Sequence, residues 1–274
     1  MDVAELARAI VLGIIQGLTE FLPISSDGHL IIFRSAFGLS DDGLGFDVVL
    51  HLGTLLAVVV VFRADLVRLF HAGLEVLRER SIGDSPDRRL GLMLVVATVP
   101  GVIAGVLFEH LVSGPMRHPE YAGLFLLATG GLLLLAENVP AAQPKSIHSR
   151  SYAHALFVGS LQATAILPGL SRSGAAFAGG RMIGLSRQDA VRFSFLMMIP
   201  IVTGAVAYEG VGALLDLEWG WPRLTYVVGA VTAAVSGFFC VKFLLSFVQR
   251  YSLLPFAAYC VIVGSITLVL SGLS

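Results

Sequence analysis

The sequence predicts an all-α polytopic membrane protein built as an inverted-topology repeat. Three observations carry that expectation. The 274 residues are 56% hydrophobic and only 14% charged, where a soluble domain carries about 25% charged residues. Several apolar runs approach the roughly 20 residues that a spanning helix needs. Two further apolar regions, 6–38 and 152–185, are each broken by a proline and a serine cluster, and they resemble one another. The apolar runs are continuous rather than alternating, so membrane strands are not expected.

The first broken region holds Gln16 to His29, Gln-Gly-Leu-Thr-Glu-Phe-Leu-Pro-Ile-Ser-Ser-Asp-Gly-His. Gln16 and Glu20 are four apart, which puts them on one helix face. Pro23 interrupts that helix. Ser25 and Ser26 are N-cap candidates for a second helix beginning near Asp27. Ser26 and His29, three apart, are expected on one face of it. Spanning helices are then expected at 46–62, 90–110 and 121–136, closing a first repeat over 1–140. The second repeat, 150–274, holds the broken region 152–185 and spans at 190–207, 224–247 and 253–270. Each broken region reads as a re-entrant hairpin, whose irregular backbone survives only inside protein or beside a water-filled cavity.

The duplication is legible in three paired motifs. Gly13-x-x-Gln16 matches Gly159-x-x-Gln162, and Gly38-Leu39-Ser40 matches Gly184-Leu185-Ser186, both at an offset of 146. Pro23-x-x-Ser26 matches Pro168-x-x-Ser171 at an offset of 145. Matches in order at nearly one offset indicate an internal repeat. Three spanning helices per half is an odd number, so the second half must be inverted, with a site expected where the broken helices meet. Loop charge agrees. Segment 63–89 carries six arginines (Arg63, Arg68, Arg78, Arg80, Arg88 and Arg89) and is expected on the cytoplasmic side. Segment 139–152 with Lys145 and Arg150, and the turn near Arg250, fall on the same side. Segment 208–223, with Glu209, Asp216 and Glu218 against Arg223, falls outside, where Trp219 and Trp221 suit the interface. Asp2 and Glu5 precede Arg8, so no cleaved signal peptide is expected. Cys240 and Cys260 lie in apolar runs without metal-type spacing and read as inert.

Glu20, Asp27 and Arg172 would together cost about 8–10 kcal/mol if they faced lipid, so they are expected to share an interior cavity. Arg172 offers a planar fork that fits phosphate oxygens. Gly174 permits close backbone approach in Ser171-Arg172-Ser173-Gly174, and the following helix N-terminus is an anion site. In the first break, Ser26 suits a nucleophile with His29 as its base. Glu20 with Gln16 suits instead a divalent cation held by hard oxygens. Spacing does not choose between these routes. Asp47 and His51, four apart on the next helix, suit a cavity lining, but they are expected rather to satisfy each other or a helix end and are set aside as site residues.

Residues 17–29, Gly-Leu-Thr-Glu-Phe-Leu-Pro-Ile-Ser-Ser-Asp-Gly-His, and 168–174, Pro-Gly-Leu-Ser-Arg-Ser-Gly, resemble the two signature motifs of the undecaprenyl-diphosphate phosphatase family, the bacitracin-resistance (BacA) type. The likeness covers nearly the whole chain. It implies a multi-pass enzyme of the bacterial cytoplasmic (inner) membrane with an external-facing site. That enzyme converts undecaprenyl diphosphate to the monophosphate and inorganic phosphate, recycling the carrier lipid of cell-wall synthesis. It also implies a divalent cation, Mg or Ca. By motif position Glu20 is the essential acid, and Gln16 fills a place given to Glu or Gln. Ser26 and His29 are the catalytic pair, Arg172 the diphosphate clamp, and Ser171, Ser173 and Ser25 substrate contacts beside Gly174. Asp27 and Ala176 depart from the family pattern, where Ser or Thr and Thr are usual.

The partners expected are a polyprenyl diphosphate, membrane lipids and a second copy in a homodimer. A net charge of −1 argues neither for nor against nucleic acid, and none is expected. The competing reading is a polyprenyl-phosphate flippase or secondary transporter, since broken helices in inverted repeats are the architecture of many transporters. A third is a catalytically inactive lipid-phosphate binder. Ser26 attacking directly is favoured over water activated by Glu20 and His29.

Overall fold

A computed structural model describes residues 3–39, 44–83, 85–139, 146–216 and 223–272. Among them every regular element is helical. The chain runs through α1 (Val3–Phe21), α2 (Ser26–Ala36), α3 (Leu44–Val61), α4 (Arg63–Glu79), α5 (Pro86–Ser113) and α6 (Pro119–Asn138). It continues through α7 (Tyr152–Ala163), α8 (Arg172–Met182), α9 (Arg187–Asp216), α10 (Arg223–Phe247) and α11 (Leu254–Ser271). Helices α5, α6, α9, α10 and α11 are each long and apolar enough to cross a membrane. The chain is therefore an all-α multi-pass membrane protein. Helix α3 meets the same test only together with α4, from which it is bent by 81°.

That bend is where the expected cytoplasmic loop 63–89 differs from the structure. Much of it is the 17-residue helix α4. One face of α4 exposes Val67, Phe70, Leu74 and Leu77, three and four residues apart as an apolar stripe requires. Arg88 pins the helix to the start of α5 through Glu75 (3.0 Å) and Glu79 (2.6 Å). Asp65 is bonded by both Arg68 and Arg192 of α9. Periodicity permitted a helix here; its arginine content drew the reading towards a loop. Lys145, Trp219 and Trp221 lie outside the described residues.

Both broken regions are helix pairs around a break. Helix α1 ends at Phe21, two residues before Pro23, and α2 starts behind Ser25, whose hydroxyl accepts the Gly28 N–H at 3.4 Å. Helix α7 ends in the 3-10 turn Thr164–Ile166, and α8 starts behind Ser171, whose hydroxyl accepts the Gly174 N–H at 3.0 Å. The first helix of each pair packs far along the chain: α1 on α10, and α7 on α5. Glycines at matched positions allow it. A Cβ on Gly13 would lie 2.7 Å from the Gly229 carbonyl oxygen, and one on Gly159 only 2.1 Å from that of Ala97. Small residues bring membrane helices together in this way, because packing rather than water exclusion drives their association. The main core gathers around α9, where Phe195 meets Phe21 and Phe62 edge-on at 5.6 and 6.2 Å.

Candidate active site

The tips of the two broken regions touch. Ser173 Oγ donates to the Leu22 carbonyl at 3.2 Å. A Cβ on Gly28 would lie 2.8 Å from Gly169 Cα. Gly169 has φ 103°, a conformation that L side chains rarely adopt, and a Cβ there would lie 2.3 Å from the Ala122 carbonyl oxygen. Thr129 on α6 fixes the second tip, donating to the Gly169 carbonyl (2.9 Å) and accepting from the Ser171 N–H (3.0 Å). Ser25 holds φ 68°. That strained backbone for a non-glycine residue sits at the first tip, the kind of place where strain is stored at sites of function.

Glu20 is the hub. Its carboxylate is almost wholly buried and accepts four hydrogen bonds from three side chains. Gln16 Nε2 donates at 3.0 Å, and Ser26 Oγ donates to Oε2 at 2.5 Å. Arg172 Nη2 donates to Oε1 at 3.1 Å and Oε2 at 3.3 Å. A short O–H···O⁻ bond of this kind is charge-assisted. The serine thus presents its proton to a carboxylate that a guanidinium holds from the opposite side. Ser171 and Ser173 hydroxyls stand 3.1 Å apart beside Gly174 at the α8 N-terminus. Gln16, Glu20, Ser26, Arg172, Ser171, Ser173 and Gly174 therefore converge, with Ser25 as the cap.

His29 does not join them through the described hydrogen bonds. Its Nδ1 donates to the Ser25 carbonyl at 2.7 Å, and its Nε2 accepts from the Tyr259 hydroxyl at 2.8 Å. Its ring stacks on Tyr259 with centroids 5.6 Å apart. Both ring nitrogens are thus committed elsewhere, and Ser26 turns to Glu20. The physical reason is angular: three residues of α-helix leave two side chains about 60° apart around the axis, enough at a helix start to send them to different neighbours.

The imidazole beside Glu20 is that of His51, which the sequence reading set aside. Its Nδ1–H donates to the Asp47 carbonyl at 2.9 Å, leaving Nε2 as acceptor for Arg172 Nη2 at 2.9 Å. Nε2 also lies 3.6 Å from Glu20 Oε2 and 3.6 Å from Asp27 Oδ1. The Asp47 carboxylate takes Arg34 bidentately (3.0 and 2.6 Å) and Arg117 at 2.9 Å. The available signal was an acid and a histidine four apart in an otherwise apolar span, a pattern that marks function by default inside a membrane.

Asp27, Asp47, His51, Arg117 and Arg172 open into a cavity of about 450 Å³. They form its polar end, and Gln162 is also in its lining. Its apolar wall comes from α5 (Gly101, Val102, Val106) and α9 (Ile201, Val202, Ala205), each next to an internal proline, Pro100 and Pro200. A chamber charged at one end and greasy along its wall suits an amphiphile with an anionic head.

A family profile described as "Bacitracin resistance protein BacA" matches residues 9–266. The chain is 43% identical to an undecaprenyl-diphosphatase of Desulforudis audaxviator, over 96% of this chain and 97% of that protein. It is 42% identical to one of Rubrobacter xylanophilus, over 93% of this chain and 94% of that protein. It is 41% identical to one of Pelobacter propionicus, over 98% of this chain and 99% of that protein.

Proposed function

The chain belongs to the BacA family of bacitracin-resistance proteins, and from that membership and its site we propose that it is a membrane phosphatase, an undecaprenyl-diphosphatase. It hydrolyses undecaprenyl diphosphate to undecaprenyl phosphate and inorganic phosphate. The observation that carries this reading is Glu20 receiving Ser26 and Arg172 at once. A carboxylate poised on a serine hydroxyl, next to a guanidinium and a fresh helix N-terminus, is equipment for phosphoryl transfer. Transport needs no such nucleophile, and the relatives are named for hydrolysis.

In this reading the diphosphate head enters the polar end of the cavity and the polyprenyl tail runs along the α5–α9 wall. Ser26 Oγ attacks the terminal phosphorus while Glu20 takes its proton. The bond to the bridging oxygen breaks, its electron pair leaves with the lipid monophosphate, and Glu20 passes its proton to that product. Water then attacks the phosphoserine, its proton returning through Glu20 to Ser26 Oγ. Arg172 turns its guanidinium to the charge developing on the phosphoryl oxygens, the term that dominates such reactions. His51, its tautomer set by the Asp47 carbonyl, holds Arg172 in place. His29 orders the first tip through Ser25.

A divalent cation fits the donor set. Gln16 Oε1 is buried with no hydrogen-bond partner, and it lies on the side chain bonded to Glu20. Gln16, Glu20 and Asp27 are hard oxygen donors of the kind such ions take. Among the described residues no three His, Cys, Asp or Glu side chains form a metal cluster, so Gln16, Glu20 and Asp27 would hold the cation only together with oxygens from the substrate or water. A bound cation would neutralise charge on the diphosphate.

The inverted repeat and an external-facing site in the bacterial inner membrane belong to the same proposal. The crosswise packing of α1 on α10 and α7 on α5 supports the first. The arginines of α4 and the start of α5 support the second, by marking the cytoplasmic end. The test is purified protein in detergent with undecaprenyl diphosphate and Mg²⁺ or Ca²⁺. Phosphate release that disappears in Glu20→Ala and Arg172→Ala supports the enzyme. Absence of release from the wild-type protein refutes it.

A further inference from the structure

Gln162 lies on α7, just before the 3-10 turn Thr164–Ile166. Its side chain is buried, and neither Oε1 nor Nε2 has a hydrogen-bond partner. Among the buried amide side chains of the described residues it alone leaves both atoms unsatisfied. A buried polar group without a partner bears its whole desolvation cost, so an amide kept in this state points to a partner that arrives from outside.

The repeat explains how the partner came to be missing. Gln162 is the counterpart of Gln16 at the offset of 146. Gln16 spends its Nε2 on Glu20. At the same offset the residue matching Glu20 is Ile166, which also lines the cavity. The second tip thus retains the glutamine and lacks the acid that engages it in the first.

Position supplies the rest. Gln162 lines the cavity that holds Arg172 and His51 at its polar end. Its helix packs on α5, which provides part of the apolar wall. Gln162 therefore shares one chamber with the charged groups and sits on a helix packed against the one that supplies part of the apolar wall. In-line attack by Ser26 on the terminal phosphorus puts the leaving oxygen on the far side from Ser26, towards the tail. Resting on the phosphatase reading, we infer that Gln162 is a substrate-binding residue: its amide turns to donate from Nε2 to the phosphate that stays on the lipid. The first tip would then work on the phosphate that departs as inorganic phosphate, and Gln162 would hold the one that remains.

The test uses Gln162→Met, which removes the amide at similar volume, and Gln162→Glu, which keeps the shape and adds repulsion. Undecaprenyl phosphate affinity is measured directly on each detergent-purified protein, alongside KM for the diphosphate, inhibition by inorganic phosphate and the melting temperature. Gln162→Met is expected to weaken undecaprenyl phosphate binding about tenfold, the scale of one hydrogen bond to a charged oxygen. KM rises in parallel, inhibition by inorganic phosphate is unchanged, and the melting temperature does not fall. Gln162→Glu is expected to bind more weakly still. Wild-type affinity for undecaprenyl phosphate in both variants overturns the inference, as does weakening of inorganic phosphate inhibition to the same degree. Absent turnover in the wild-type protein counts against the phosphatase reading, while the binding comparison still decides the role of Gln162.

Discussion

Ser26 Oγ and Glu20 Oε2 lie 2.5 Å apart, six residues apart in sequence and on opposite sides of the break at Pro23. The hydrogen bond exists because α1 ends at Phe21 and α2 begins at Ser26, so the chain folds back on itself between them. In the proposed mechanism it makes Glu20 the base for Ser26. Glu20→Gln keeps the shape but cannot accept the proton, and its amide NH2 meets donors where the carboxylate accepted from Gln16, Ser26 and Arg172. Phosphate release should fall by about 10²–10⁴-fold, the range of general-base catalysis, measured on protein that a melting profile shows to be folded. A variant within threefold of wild type would show that the proton goes elsewhere.

Arg172 reaches Glu20 and His51 with one nitrogen. A lysine there keeps the charge and loses the planar fork. Arg172→Lys should lower kcat/KM for undecaprenyl diphosphate by about 10²–10³-fold, as expected for the loss of a donor aimed at developing charge. Steady-state kinetics at saturating cation check this.

His29 and Tyr259 act as one unit, since the tyrosine hydroxyl donates to the ring nitrogen that faces away from Ser25. Tyr259→Phe and His29→Ala should therefore be non-additive, with a coupling of about 0.5–3 kcal/mol in a double-mutant cycle on activity. Additive losses would mean that the two residues serve separate purposes.

Some features of these predictions were readable in the sequence and others were not. The breaks at Pro23 and Pro168, the cap at Ser25, and the convergence of Glu20 with Arg172 all follow from residue type and from the cost of charge in lipid. The hydrogen bond from Ser26 to Glu20 was not readable, because a shared helix face suggested His29 as its neighbour while Glu20 lies before the break. His51 was passed over because its Nδ1 does bond within its own helix, to Asp47, as expected; only the tertiary fold brings its other nitrogen to Arg172. The α4 helix was hidden by its six-arginine neighbourhood.

Helix α4 presents Val67, Phe70, Leu74 and Leu77 on one side after an 81° turn out of α3. An amphipathic helix of this kind lies in the membrane interface with its apolar face in the acyl boundary. Phe70→Trp, reconstituted in vesicles, should be quenched by lipids brominated near the headgroup end of the acyl chain and shielded from iodide. Strong iodide quenching would place α4 in water.

Gly159 permits the close contact of α7 with α5, since a Cβ there would lie 2.1 Å from the Ala97 carbonyl oxygen. Backbone cannot yield as a flexible side chain does. Gly159→Ala should destabilise the protein by about 1–3 kcal/mol, the usual cost of overpacking, read as a lower melting temperature in detergent. An unchanged melting temperature would mean that the two helices separate at no cost.

The most direct test of the whole account is phosphate release from undecaprenyl diphosphate by purified wild-type protein and Ser26→Ala side by side, with cation present. The account predicts turnover in the first and none in the second, with wild-type protein quenched during turnover carrying phosphate on Ser26. Near-normal release by Ser26→Ala would contradict it.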